Sequence, residues 1–299
     1  MGFLLLAGAE LFTEHASAAG RRLGVSLLAI GLVLAGAEPE ELFTATFAAL
    51  RDRPSIGGGD ALGANITMLT LVLGLGALIR PLPFGRRVRT YALVASAGGL
   101  AAALVLHEGV SRREGGALVI LYAVFVALTW RLERRPPAFG EAAEIGAEGE
   151  TATSSEPTRA VILMLLGIVI MALGGWLAVA GAERVVDQLG LEDSAVGLTF
   201  VGLATTAELF ALIWAATRRG IDELAVAGIL GSAVYNATAT LGVAALVRPI
   251  PAEGLVGASW FAAGLPLALI LTSRRNLLAR SAAVALLASY AAFVGVTLN

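Results

Sequence analysis

The sequence predicts an all-α integral membrane protein of about ten transmembrane helices, arranged as two inverted five-helix repeats. Three observations lead there: a composition too apolar for a soluble domain, a series of apolar stretches of spanning length, and an internal duplication with matched spacing. Of 299 residues, 57% are hydrophobic and 15% charged, and the mean hydropathy is +0.81. A soluble domain carries about 25% charged residues, so this chain has too little charge to cover a water-facing surface. There is no cysteine, which excludes disulfides, thiolate metal sites and a cysteine nucleophile. All 21 basic residues are arginine. Without lysine the chain holds neither a P-loop nor a Schiff-base amine, so any transport draws on a gradient or on a partner's ATPase. The net charge of −2 gives no sign of nucleic-acid binding.

A spanning helix needs about 20 mostly apolar residues. In order, the stretches that meet or approach this are roughly 2–18, 25–50, 60–79, 90–106, 116–130, 160–182, 194–217, 222–247, 254–272 and 278–297. The first begins MGFLLLAGAELF, lacks a basic n-region and meets Glu10 early, so it reads as a short span and not a cleaved leader. Near its end Glu10 and Glu14 share a helix face beside His15, as an interfacial face or part of an ion path. The second stretch is interrupted by LAGAEPEELF, 34–43, where Glu38 and Glu41 fall on one side of a helix and Glu40 on another. SIGGGD, 55–60, reads as a loop before the third span, and no lysine follows to make it a phosphate cradle.

Between the fifth and sixth spans lies RLERRPPAFGEAAEIGAEGETATSSEPTR, a polar, Pro-containing stretch of linker composition. The expected organisation is a first membrane repeat at 1–133, an acidic linker at 134–158 and a second membrane repeat at 159–299. Arginine placement sets the orientation. With the N-terminus outside, fifteen arginines fall in cytoplasmic loops, and six (Arg51, Arg53, Arg112, Arg113, Arg184 and Arg248) stay outside. Both termini are thus expected outside a cell membrane, with the linker in the cytoplasm.

The halves repeat one another. LGVSLLAIGL…EELF…LGAN…LGALIRPL in the first answers LGLEDSAVGL…AELF…LGSAVYN…LGVAALVRPI in the second. Glu41 precedes Gly63 by 22 residues and Glu208 precedes Gly231 by 23; Gly63 to Arg80 and Gly231 to Arg248 are both 17. Five spans per half is odd, so the second copy enters the membrane upside down, the arrangement that places transporter sites near the midplane. Glu41 and Glu208 are then equivalent and meet there. Two dehydrated carboxylates attract protons or a cation, and a divalent ion matches their charge. Calcium takes six to eight oxygens, and Thr205, Thr206, Ser232, Asn236, Asn65 and Thr67 lie near enough in sequence to add theirs. Glu38 and Glu40 can instead be paired structurally or reach the interface, and Asn65, Ser232 and Asn236 can instead bond neighbouring helices.

At these residues the chain resembles the calcium/cation antiporter superfamily, which includes sodium/calcium and proton/calcium exchangers. Family repeats carry a Gly-Thr-Ser-Leu-Pro-Glu or Gly-Asn-Ala-(Ala/Val)-Glu box, then a Gly-Ser-Asn-x-x-(Asn/Asp) box. Here the first boxes read GAEPEE, 36–41, and ATTAE, 204–208; the second read GANITM, 63–68, and GSAVYN, 231–236. The resemblance implies that Glu41 and Glu208 are the central cation ligands. Ser232 and Asn236 fit the pattern, whereas Ala64 and Met68 depart from it and remove two oxygens from the first half. Glu38, Glu40 and Thr67 are the candidates to compensate.

The sequence thus points to a secondary antiporter, not an enzyme, that exchanges calcium or a related divalent cation for sodium. Alternating access would slide spans one and six against the rest. Proton/calcium exchange is the alternative, and a passive cation channel or a transport-inactive scaffold is the rival of a different class. No cofactor is implied: calcium and sodium, or protons, are cargo. The expected surroundings are lipid, and a monomer is compatible with the reading. His15 and His107 stand apart from the carboxylates in sequence.

Overall fold

The structure is a computed structural model that describes residues 38–133, 157–219 and 222–299, together with residues 3, 4, 7, 8, 11 and 15. Most of the expected first span, the leading part of the second, Glu10, Glu14 and nearly all of the linker lie outside the described residues.

Glu38 has φ −103° and ψ 68°, which is not helical. Pro39 is the cause: its ring keeps the preceding residue out of the helical region, while proline itself suits a first helical position. Helix α1 follows as Pro39–Leu50. A tight turn with Asp52 at φ 64° leads into α2, Pro54–Ile79, which carries a π-helical turn at Met68–Val72. SIGGGD is therefore not a loop. It forms the first turns of α2, and Ile56 through Asp60 are buried. Clustered glycines favour loops in water, but in a membrane they let helices approach closely. A Cβ on Gly57 would meet the Ala45 carbonyl oxygen at 2.7 Å, and one on Gly59 would meet the Gly197 Cα at 3.0 Å.

Helix α3 is Arg86–Leu106, and α4 is Arg112–Glu133. A reciprocal cap opens α4: the Ser111 N–H donates to Glu114 Oε2 at 2.8 Å, and the Glu114 N–H donates to Ser111 Oγ at 3.4 Å. Helix α5, Pro157–Leu189, starts two residues inside the expected linker. Its exposed Ile162, Leu165, Val169, Leu173 and Trp176 form one apolar stripe at helical spacing, suited to lipid.

The expected seventh span is two helices. Helix α6, 193–205, contains a π turn at Gly197–Val201. It stops at Thr206, φ −86° and ψ 5°, before α7, Ala207–Arg219. The Thr206 hydroxyl donates to the Gly202 carbonyl at 2.8 Å, the back-bonding that often bends a helix. Helix α8 covers 222–247 with a π turn at Asn236–Thr240. Helices α9, Val256–Thr272, and α10, Arg280–Thr297, complete the chain. Six helical stretches among the described residues are long and apolar enough to cross a membrane, and α9 is a shorter apolar helix.

The halves are joined by pairs that exchange under one shift. Strands β1, Leu82–Pro83, and β2, Leu277–Leu278, run antiparallel with Leu82 opposite Leu278, while Val110 pairs with Ile250. Residues 82 and 250, and 110 and 278, are each 168 apart. That is also the separation of Asn65 from Ala233, where the Asn65 Nδ2 donates to the Ala233 carbonyl at 2.9 Å. The α2 and α8 π turns at 68–72 and 236–240 obey the same shift. Because α3 runs between Leu82 and Val110, the two fastenings sit at opposite ends of the helices.

Charges gather at those ends. Arg51 grips Glu183 through Nε at 3.0 Å and NH2 at 2.6 Å, Arg53 pairs with Asp193 at 2.9 Å, and Arg248 pairs with Asp52. Arg112 donates to the Leu246 and Val247 carbonyls at the same end. At the other end Arg80 pairs with Asp222 at 3.5 Å, Arg89 reaches Ser273, and Arg280 reaches the Ile79 carbonyl. Among the described residues, Arg51, Arg53, Arg112 and Arg248, expected outside, thus gather at one end, and Arg80, Arg89 and Arg280, expected inside, at the other.

Candidate cation site

Two interrupted helices bring carboxylates together. Pro39 starts α1 with Glu38 just before it and Glu40 and Glu41 in its first turn. The Thr206 break starts α7 with Glu208 in its first turn. Both helix N-termini therefore carry anionic side chains where the helix dipole favours them.

Glu38, Glu40 and Glu41 are at most 1% exposed. One carboxylate oxygen from each lies within 4.8 Å of the others. This overturns the helical-wheel expectation that Glu40 points away. Glu38 lies outside the helix, so α-helical spacing does not govern its direction. The Glu208 carboxyl lies against Glu38 and Glu40, close enough to Glu41 for their charges to interact.

The hydroxyls and amides are distributed unevenly. Ser232 Oγ on α8 donates to Glu38 Oε1 at 2.5 Å. Thr205 Oγ1 donates to Asp60 Oδ1 on α2 at 2.9 Å. Thr206 turns back onto its own helix, donating to the Gly202 carbonyl. Asn65 spends its amide on Ala233 and leaves Oδ1 without a partner. The Thr67 hydroxyl is buried without a partner. Asn236 accepts from Thr240 Oγ1 at 3.1 Å and leaves its Nδ2 unpartnered. Buried Tyr122 and Tyr235 meet edge to face at 5.3 Å, and the Tyr235 hydroxyl is near enough to feel the three glutamates of α1. His15 bonds the Leu11 carbonyl within its own turn, and His107 caps the end of α3.

Asp60 is the residue that sequence reasoning missed. It is fully buried, it holds Thr205, and its charge interacts with Glu41. A signal was present: Asp60, Ala64 and Thr67 follow i, i+4, i+7 and so share one helix face.

Both oxygens of Glu40 and of Glu41, together with Glu38 Oε2 and Asp60 Oδ2, are buried with no protein donor. No basic side chain among the described residues pairs with these four carboxylates. Unpaired buried charges are costly, and orphaned buried oxygens are what a bound ion would take up. Calcium contacts oxygens at about 2.3–2.6 Å, so ligands across one ion lie about 4.6–5.2 Å apart. The oxygens of the three glutamates, all within 4.8 Å of one another, are close enough to share one such ion.

Comparison with known proteins bears on the whole chain. The family model described as "Sodium/calcium exchanger protein" matches residues 1–131 and 159–299. The putative antiporter CaxA of Alkalimonas amylolytica is 30% identical over 281 residues, covering 91% of this chain and 87% of its own. Inner membrane protein YrbG of Escherichia coli K12 is 27% identical over 264 residues, covering 83% and 78%. A solved structure of the sodium-calcium exchanger NCX_Mj, soaked with sodium and strontium, superposes with a TM-score of 0.63 over 98% of this chain and 94% of that one. Its identity is 24%, so it shows the fold alone. With a family match across both halves and buried, uncompensated carboxylates between them, this chain belongs to the sodium/calcium exchanger family, within the calcium/cation antiporters, and is a membrane transporter, not an enzyme.

Proposed function

We propose that the protein exchanges calcium, or a related divalent cation, for sodium across the membrane, with Glu41 and Glu208 as central ligands beside Glu38 and Glu40. The observation that carries the reading is the group of buried α1 glutamates, Glu38, Glu40 and Glu41, with an oxygen of each within 4.8 Å of the others and no basic partner among the described residues. Four carboxylates offer eight oxygens, enough for the six to eight that calcium takes. One divalent ion balances two of the four charges, which leaves room in charge for monovalent cations beside it or in its place. Ser232, Thr205, Thr206, Asn65, Thr67 and Asn236 form the polar surround from which further oxygens come. The description of the matching family as sodium/calcium exchangers supports sodium as counter-ion.

The remaining assignments go with this reading. The chain is two inverted repeats, 1–133 and 159–299, joined by a cytoplasmic linker at 134–158, with both termini outside. The 168-residue shift relating the inter-half contacts supports the repeats. The separation of the arginines between the two ends supports the orientation. Alternating access moves α5, which lies along α1 with its outer face apolar, past the carboxylates.

The test is radiolabelled calcium uptake into proteoliposomes under outward sodium or outward proton gradients, with Glu41→Gln and Glu208→Gln alongside. Sodium-driven uptake that falls at least tenfold in both variants is expected. Proton-driven uptake would reassign the counter-ion, uptake without gradient preference would make the protein a channel, and no uptake at all would sink exchange.

A further inference from the structure

A groove of about 640 Å³ lies between the starts of α6 and α9 and the last turns of α10. It sits at the end of the molecule where Arg53 and Arg248 make their ion pairs. Its volume is that of an ordinary small-molecule site, and none of its lining residues belongs to the carboxylate centre. One to two turns in from the end the lining is apolar: Leu198 of α6, Phe261 of α9 and Phe293 of α10. The two phenylalanine rings stack at 5.8 Å. At the end itself the lining is polar, with Glu192, Ser194 and Thr297.

Trp260, in the first turns of α9, is 43% exposed. Tryptophan at the end of a membrane helix sits at headgroup level. The polar end of the groove therefore lies among lipid headgroups, and Leu198, Phe261 and Phe293 lie at acyl-chain depth.

The polar end holds its carboxylate in place. Gly254, at φ 72°, passes so close that a Cβ there would run into Ser194 Oγ and come within 3.3 Å of Glu192 Oε2. Ser194 is 4% exposed and donates to that same Glu192 oxygen at 3.4 Å. Arg53 is taken by Asp193, and no basic side chain among the described residues pairs with Glu192. No arginine lines the groove. A chain-wide apolar slot ending in one uncompensated carboxylate fits an amphiphile with a cationic head. A primary ammonium offers three donors to carboxylate and hydroxyl oxygens; a quaternary choline offers none, and a headgroup of net negative charge is repelled. The slot is open because a side chain is missing. A Cβ on Gly257 would meet nothing within 4 Å, whereas the residue 168 positions earlier, its repeat counterpart, is Arg89.

We propose that the groove binds one aminophospholipid from the leaflet at this end, with its ammonium on Glu192 and one acyl chain along Phe261 and Phe293. The chain then lies against Leu198 in the π turn of α6, the helix that carries Thr205. The site is independent of which ions the protein exchanges.

The experiment is native mass spectrometry of the purified full-length protein. The protein is incubated in detergent with dioleoyl phosphatidylethanolamine, phosphatidylcholine or phosphatidylglycerol at equal concentrations. Wild type is expected to retain one phosphatidylethanolamine at least fivefold more than either other lipid. Gly257→Trp places a ring in the groove and is expected to lower that occupancy at least fivefold. Glu192→Gln is expected to keep a lipid but bring the three occupancies within twofold of one another. Equal retention of the three lipids by wild type would overturn the site, as would undiminished phosphatidylethanolamine on folded Gly257→Trp. A wild-type dimer that Gly257→Trp dissolves would give the groove to a second copy and overturn it too. Should Gly257→Trp not yield monodisperse protein, Ala292→Trp on the α10 wall reads the same quantity: at least a fivefold loss supports the site and no loss overturns it.

Discussion

Glu38 owes its place to the residue after it. If residue 39 could extend the helix backward, Glu38 would join α1 and its side chain would leave its present direction for the one helical spacing sets. Pro39→Ala is therefore expected to weaken calcium binding at least tenfold while shifting the melting temperature little, since a proline at the first helical position holds no hydrogen bond of its own. Equal calcium affinity in that variant would show that the proline does not set the carboxylate. This is also where the sequence was only half legible. Glu41 and Glu208 stood out because carboxylates in apolar spans are rare, and their match between halves named them as a pair. Glu40 was set aside by a helical wheel that ignored the proline beside it. Asp60 was hidden by its glycines, which read as a loop.

At the level of the helix, those glycines explain how α2 reaches the site. Gly59 and Gly63 lie against Gly197, Leu198 and Gly202 of α6, backbone on backbone, and so Asp60 can touch Thr205. Gly63→Val would push a side chain into the Leu198 backbone, and overpacking of this kind costs about 1–3 kcal/mol. A melting temperature lowered by several degrees in detergent, with transport lost alongside, is the expected result of thermal unfolding measurements on that variant. A melting temperature equal to wild type would mean the helices have slack there. Span length and apolar content made most helices readable from composition. The break at Thr206 was not readable, because neither a glycine nor a proline marks it in ATTA, 204–207.

Across the whole molecule, α5 is tied at one end by the Arg51–Glu183 pair, with the Arg51 guanidinium 5.5 Å from the Trp176 ring centre. The absence of cysteine makes a clean test of its motion possible. Arg51→Cys combined with Glu183→Cys, bridged by a bifunctional thiol reagent, is expected to stop calcium uptake while leaving equilibrium calcium binding intact, with recovery once the bridge is reduced. Full bridging with undiminished uptake would mean α5 does not move. The duplication was legible because spacing survives when residues drift; the contacts that exchange under it needed three dimensions. That exchange carries a thermodynamic consequence. In a chain whose halves were identical, trading their conformations would turn an outward-open protein into an inward-open one at no cost, and an empty transporter would spend equal time facing each side. Here the tie is broken at many places, and four of them carry side-chain oxygens at the site: Ala64 against Ser232, Met68 against Asn236, Asp60 against Gly228 and Glu38 against Thr205. Each difference of about 1.4 kcal/mol between the two facings tilts that resting ratio tenfold. The positions where the copies disagree are therefore the ones that decide which side of the membrane the empty protein waits on.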